Sequence, residues 1–180
     1  MIIEDMEVTS VSYTESPKRH VIYLHGGGYK YPLADFHIEF GKKIIAGTDT
    51  VIHYPEFPLV PTSTYEYAYK LVMKLYLKLL SEVDPDRITL MGDSSGGGFA
   101  LGIAQYLHEK NVQQPRNIIM ISPWLDMRLN NPEIDEYEKI DKLLDKSWLQ
   151  ETAFLWAGDQ TLDYYQLSPI NGELKGLGQI

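Results

Sequence analysis

Strand-like and helix-like segments alternate along this 180-residue chain, and the alternation predicts an α/β domain on a mostly parallel sheet covered on both faces. Two further observations sharpen that expectation. The apolar run Val21-Ile22-Tyr23-Leu24 stops at His25-Gly26-Gly27-Gly28, and Arg87-Ile88-Thr89-Leu90-Met91 runs straight into Gly92-Asp93-Ser94-Ser95-Gly96-Gly97-Gly98. Each is a buried-type strand emptying into a glycine loop. In a parallel sheet such loops gather on the rim beyond the carboxyl ends of the strands, where ligands bind.

Taken in order, Met6 to Thr14 alternates and predicts an early strand or hairpin. After the strand at 21–24, Pro32 to Ala46 reads as a helix, with Phe36, Phe40, Ile44 and Ile45 near helical spacing. Thr50 to Tyr54 is a short strand closed by Pro55, Pro58 and Pro61. Thr64 to Ser81 is the clearest helix: Tyr65, Ala68, Tyr69, Val72, Tyr76 and Leu79 share one face, and Glu66, Lys70, Lys74 and Lys78 step along the other. The Asp84-Pro85-Asp86 turn then leads to the strand ending at Met91. Ser95 to Lys110 is a helix whose first half, free of charge, predicts burial. Asn117 to Ile121 is another buried-type strand, ended by Ser122-Pro123-Trp124. The acidic stretch Glu133 to Asp145 reads as an amphipathic insertion, so residues 127–166 are expected to form a cap within a single domain spanning 1–180.

Composition narrows the function. A hydrophobic content of 44% supplies one sizeable core, and no low-complexity tract or repeat interrupts it. The net charge of −9 argues against nucleic acid, which needs concentrated positive charge. The lack of cysteine excludes disulfides and thiolate metal sites, and the histidines and carboxylates show no ligand spacing, so no metal or cofactor is expected. No stretch approaches a membrane span and the first residues lack a leader pattern, which makes a cytoplasmic protein the expectation.

The strand–Gly-x-Ser-x-Gly–helix context makes Ser94 a nucleophile on a sharp elbow. A serine hydroxyl attacks an acyl carbon only if a base takes its proton and donors stabilise the oxyanion it creates. Glycines let a backbone approach a ligand closely, so the N–H groups of Gly26 and Gly27 are candidate donors, with the N–H of Ser95 at a helix N-terminus as the third. Gly96, Gly97 and Gly98 allow close packing under the strand.

These paired motifs resemble the hormone-sensitive-lipase-like branch of the α/β-hydrolase fold, which includes many microbial carboxylesterases. Tyr54-Pro55-Glu56-Phe57-Pro58 is similar to the proline-rich loop after that family's fourth strand, and Ser122-Pro123-Trp124-Leu125-Asp126 to the segment after its sixth. Over residues 20 to 180 the resemblance implies a three-layer α/β-hydrolase fold. It implies Ser94 as nucleophile, Gly26, Gly27 and Ser95 as oxyanion hole, and His25, Gly28, Gly92, Asp93 and Gly96 as residues that hold loop and elbow in shape. The implied activity is hydrolysis of small-molecule short acyl esters through an acyl-enzyme on Ser94.

The same resemblance exposes what is not there. In this fold the triad runs Ser, then Asp or Glu, then His along the chain. The one histidine after Ser94 is His108, 14 positions further along a helix that starts at the elbow. That is about 21 Å away at ~1.5 Å rise per residue, whereas a base must come within about 3 Å. His20 and His37 read as surface or core residues, which leaves His53, at the carboxyl end of its strand, as the one candidate on the correct rim. The closing stretch Leu167 to Ile180 resembles the loop leading into the family's next strand, so the fold is expected to be truncated before its last strands and the chain alone to be inactive for want of the triad Asp and His. The 117–122 segment then becomes an apolar edge, expected to pair with a second copy or with a C-terminal fragment. Three alternatives stand beside the esterase: a peptidase on the same fold, a non-catalytic ligand-binding protein on a hydrolase scaffold, and a stable structural fragment without a function of its own.

Overall fold

In the computed structural model, which describes residues 1–180, six strands form one sheet in the order β1-β2-β4-β3-β5-β6. They are β1 (Ile2–Ile3), β2 (Met6–Ser12), β3 (Arg19–Leu24), β4 (Thr50–Pro55), β5 (Ile88–Asp93) and β6 (Asn117–Ile121). β3 to β6 are parallel to one another, and the β1–β2 hairpin lies antiparallel along β4. The early strand is thus a hairpin that begins at Ile2, with its turn at Glu4 and Asp5. Five helices accompany the sheet: α1 (Asp35–Ile45), α2 (Tyr65–Glu82), α3 (Ser95–Glu109), α4 (Ile134–Glu138) and α5 (Lys146–Ala157).

Strand alternation sorts the core into two layers. Ile22, Leu24, Ile88 and Leu90 face a large core shared with α2, α3 and α5, while Tyr23, Ile52, Tyr54 and Met91 face a smaller cluster with Ile45 of α1. The result is a three-layer α/β architecture on a mostly parallel sheet, as expected. α2 buries the predicted face from Tyr65 to Leu79, together with Leu71, Met73 and Leu75. No helix is long and apolar enough to cross a membrane.

One element differs from expectation for an identifiable reason. In α1 the residues at helical spacing, Phe36, Phe40 and Ile44, are exposed, and the buried stripe is His37, Gly41 and Ile45. Gly41 sets that choice, because a Cβ there would stand 1.7 Å from the Tyr54 hydroxyl; the helix lies on the sheet through its smallest residue. β6 is the sheet's outer edge, as expected for 117–122, with Ile118 buried and Ile119 exposed. That edge is partly covered, however: Ile118 N–H donates to the Gln179 carbonyl at 2.7 Å and Gln179 N–H to the Arg116 carbonyl at 2.9 Å, a parallel bridge made by the end of the chain.

Candidate active site

β3, β5 and β6 end on one rim, and the loops that leave them converge on Ser94. The residue joins β5 directly to α3 with φ 50° and ψ −122°, a conformation that side chains other than glycine avoid. Its neighbours enforce it. Ser94 N–H donates to the Ile121 carbonyl of β6 at 2.9 Å, and Ser94 C=O accepts from Trp124 N–H at 2.8 Å. Close approach demands glycine on both sides of the elbow: a Cβ at Gly96 would lie 2.0 Å from the Leu24 carbonyl oxygen, and one at Gly92 would lie 2.2 Å from that of Gly96. Ser94 thereby sits at the N-terminus of α3, where the helix dipole favours negative charge.

The glycine loop is held from both flanks of the nucleophile. Asp93 Oδ1 accepts the Gly26 N–H at 3.0 Å and the Tyr23 hydroxyl at 2.9 Å. Ser95 Oγ accepts the Gly28 N–H at 3.0 Å, and the Tyr29 hydroxyl donates to the Ser95 carbonyl at 2.8 Å. Gly26, read from sequence as an oxyanion donor, therefore has its N–H committed to Asp93 and acts as an anchor of the loop. The N–H of Gly27 finds no partner in the chain, and neither does that of Ser95 in the first turn of α3. His25 is buried, stacks on Phe57 at 4.5 Å, and its Nδ1 lies 2.7 Å from the Gly26 carbonyl, which requires Nδ1 to carry the proton and donate. Burial keeps its pKa below the ordinary histidine range.

None of the five histidines hydrogen-bonds Ser94. His53 does not reach the rim: its Nδ1 is 2.9 Å from Ser10 Oγ and its Nε2 is 3.0 Å from His20 Nδ1, near the amino end of β3. Burial and the neighbouring His20 push its pKa down to about 4. His108 is exposed at the far end of α3. His37 lies closer to the site than its sequence context suggests. It is buried beside Asp93, with Nε2 3.8 Å from Oδ1, while Nδ1 accepts the Ala34 N–H at 3.1 Å. Both ring nitrogens are thus turned to other partners, and burial lowers its pKa against the opposing pull of Asp93.

Two cavities meet at Ser94. One of about 300 Å³ runs along Ser122, Trp124, Leu129, Ile134 and Tyr137. The other, of about 480 Å³, runs along the glycine loop past Tyr31, Phe36, His37 and Trp148. Leu144 and Leu149 line both. The segment from 127 to 166 therefore contributes walls to each cavity through α4, α5 and the turn between them. Trp148 is its firmest contact: it packs on Gly28, stacks on Tyr31 at 5.8 Å, and lies under the Lys30 ammonium at 5.9 Å. Sequence alone does not reveal this tryptophan as a wall of the site, since its partners are more than a hundred residues away; Trp156, one of the other aromatics in the segment, is fully buried core.

Residues 21–180 match a protein-family model described as the alpha/beta hydrolase fold. An acetyl-hydrolase of Streptomyces hygroscopicus is 29% identical over 163 residues, covering 88% of this chain and 54% of that protein. An esterase of Acinetobacter venetianus is 26% identical over 164 residues, covering 87% of this chain and 52% of that protein. The chain spans about half the length of the curated relatives it matches. Among solved structures, a Staphylococcus aureus protein provisionally described as an esterase superposes with TM-score 0.94 at 30% identity, covering 99% of this chain and 61% of that one. An esterase from the bacterial hormone-sensitive lipase family superposes with TM-score 0.86 at 23% identity, covering 99% and 64%, a likeness of fold.

Proposed function

The chain belongs to the α/β-hydrolase fold family, and on that premise we propose that it is the nucleophile-bearing part of a serine carboxylic-ester hydrolase acting on short acyl esters. The observation that carries the reading is the strained elbow at Ser94, which lines two cavities, one of them shared with Gly27, while the backbone N–H groups of Gly27 and Ser95 are unengaged. Relatives named acetyl-hydrolase and esterase support the same chemistry.

In the proposed reaction Ser94 Oγ attacks the acyl carbon, the carbonyl electron pair moves onto oxygen, and the serine proton passes to a base. The N–H groups of Gly27 and Ser95 stabilise the oxyanion, assisted by the N-terminus of α3. Collapse expels the alcohol and leaves an acyl-enzyme, which water then hydrolyses. His25, Gly26, Gly28, Gly92, Asp93 and Gly96 shape loop and elbow. The base is the missing part: every histidine of the chain is engaged elsewhere or distant, so the 180-residue chain is expected to be inactive or very slow by itself. The wall formed by 127–166 acts as a cap that divides the acyl and alcohol sides of the ester. A cytoplasmic site of action belongs to the same reading.

Turnover of p-nitrophenyl acetate tests the proposal. The chain alone should be slow or inert, a version extended to include a triad acid and histidine should be fast, and Ser94→Ala in that version should abolish turnover. An extended version inert toward a broad panel of esters would remove the esterase reading. It would leave the second one, a ligand-binding protein on a hydrolase scaffold, which the lack of a base beside Ser94 favours and which ligand binding unaffected by Ser94→Ala would support.

A further inference from the structure

The residues on either side of the nucleophile each take one N–H of the glycine loop. Asp93 Oδ1 holds Gly26 and Ser95 Oγ holds Gly28, both at 3.0 Å, which leaves the Gly27 N–H without a partner in the chain, on the cavity that Ser94 also lines. Exposure follows that pattern: Gly26, Gly28 and Ser95 are buried, whereas Gly27 and Ser94 are partly open to the cavities. The two clamps differ chemically. Asp93 is a carboxylate fixed by a second donor, Tyr23. Ser95 offers a neutral hydroxyl on a single rotatable bond, 1% exposed, whose own proton finds no acceptor in the chain.

Gly27 and Gly28 both have positive φ, 115° and 60°, and consecutive N–H groups in such turns point into a shared anion-binding concavity. An oxygen bound at the Ser95 N–H lies within reach of whatever the hydroxyl of the same residue holds. A full negative charge is also a stronger acceptor than a neutral hydroxyl. Resting on the serine-hydrolase reading, we propose that the Ser95 hydroxyl is a resident acceptor that occupies a third oxyanion donor, the Gly28 N–H, so that the side chain at position 95 decides whether the hole works with two donors or three. The hydroxyl secures the loop in the free protein and withholds part of its catalytic capacity.

The substitution Ser95→Ala separates these effects. In the extended, triad-containing protein, kcat for p-nitrophenyl acetate should rise on the order of tenfold with KM little changed. That is less than the hundredfold or more a full donor supplies, because the loop is set for a hydroxyl rather than an oxyanion. In the 180-residue chain the same change should lower the melting temperature and speed amide exchange at Gly28 at least tenfold, and Ser95→Thr, which keeps the hydroxyl, should restore both the wild-type rate and the protection. If kcat is unchanged or falls in Ser95→Ala while the wild type is active, the hydroxyl withholds nothing and the proposal is overturned; unaltered Gly28 exchange overturns it as well. An inert extended wild type is a different failure, that of the hydrolase reading itself, and takes this proposal with it.

Discussion

At the scale of single residues, the site is a set of backbone groups aimed by side chains. Asp93 is the sharpest case, because one carboxylate oxygen gathers the Gly26 N–H and the Tyr23 hydroxyl. Asp93→Ala strands the buried Gly26 N–H, a defect that costs about 1–3 kcal/mol. The urea midpoint should fall accordingly, whereas Asp93→Asn, which keeps a carbonyl oxygen in place, should lose less. A midpoint unchanged in the alanine variant would mean that the loop holds itself. Sequence reading identifies Ser94 and the glycine loop, since a strand, a turn and a helix start leave a local imprint on spacing. It misassigns Gly26 because the direction of that N–H is set by a partner 67 residues away. His53 is misplaced for the same reason: its position at a strand end is local information, but its bonds to Ser10 and His20 depend on sheet order.

Among the elements, α1 and the 127–166 segment show where a helical pattern stops being informative. Periodicity locates α1 but cannot choose between its aromatic stripe and the stripe containing Gly41, and contact with Tyr54 settles it. Gly41→Val should therefore displace the helix or push Tyr54 out of the smaller core, with a loss of about 1–3 kcal/mol typical of overpacking read from thermal unfolding. A variant as stable as wild type would show that α1 docks more loosely than the 1.7 Å separation requires. In the 127–166 segment α4 buries none of its residues and is tied to the start of α5, where Lys146 bonds Glu138 and Asp135, while Trp148 fastens α5 to the glycine loop. Trp148→Ala removes the contacts with Gly28, Tyr31 and Lys30 together. Limited proteolysis should then cut within 134–146 at least several-fold faster, and cleavage at an unchanged rate would argue that α5 is fastened through Trp156 alone.

For the molecule as a whole, four histidines and one sheet edge set how it responds to its surroundings. Burial holds His20, His25, His37 and His53 below the ordinary value of 6.5, His53 at about 4. His53 faces His20 and the N-terminal ammonium, which oppose its charging, and Glu82, which favours it. In the unfolded chain these groups take up protons below about pH 6.5, but in the folded state only at lower pH. Folding stability is therefore full above that pH and declines as pH falls toward 4, each histidine contributing a slope of at most about 1.4 kcal/mol per pH unit. A urea midpoint equal at pH 7 and pH 5 would contradict this. The edge concerns association. Gln179 satisfies the Ile118 N–H, and by strand alternation the next outward groups, the Ile118 carbonyl and both polar groups of Met120, face no partner beside the exposed Ile119. An open apolar edge invites pairing, and we propose that a second copy or a separate fragment supplies the further strand. Met120→Pro, compared with Met120→Ala as the control for the half-buried side chain that packs on the core, tests this, because the proline alone deletes an outward N–H while the β5–β6 ladder stays intact, as proline on a sheet edge can. Sedimentation equilibrium should show wild type associating at micromolar concentration and Met120→Pro monomeric, with the same far-ultraviolet circular dichroism. A wild type monomeric throughout that range would mean that Gln179 and the half-buried side chains of β6 close the edge on their own.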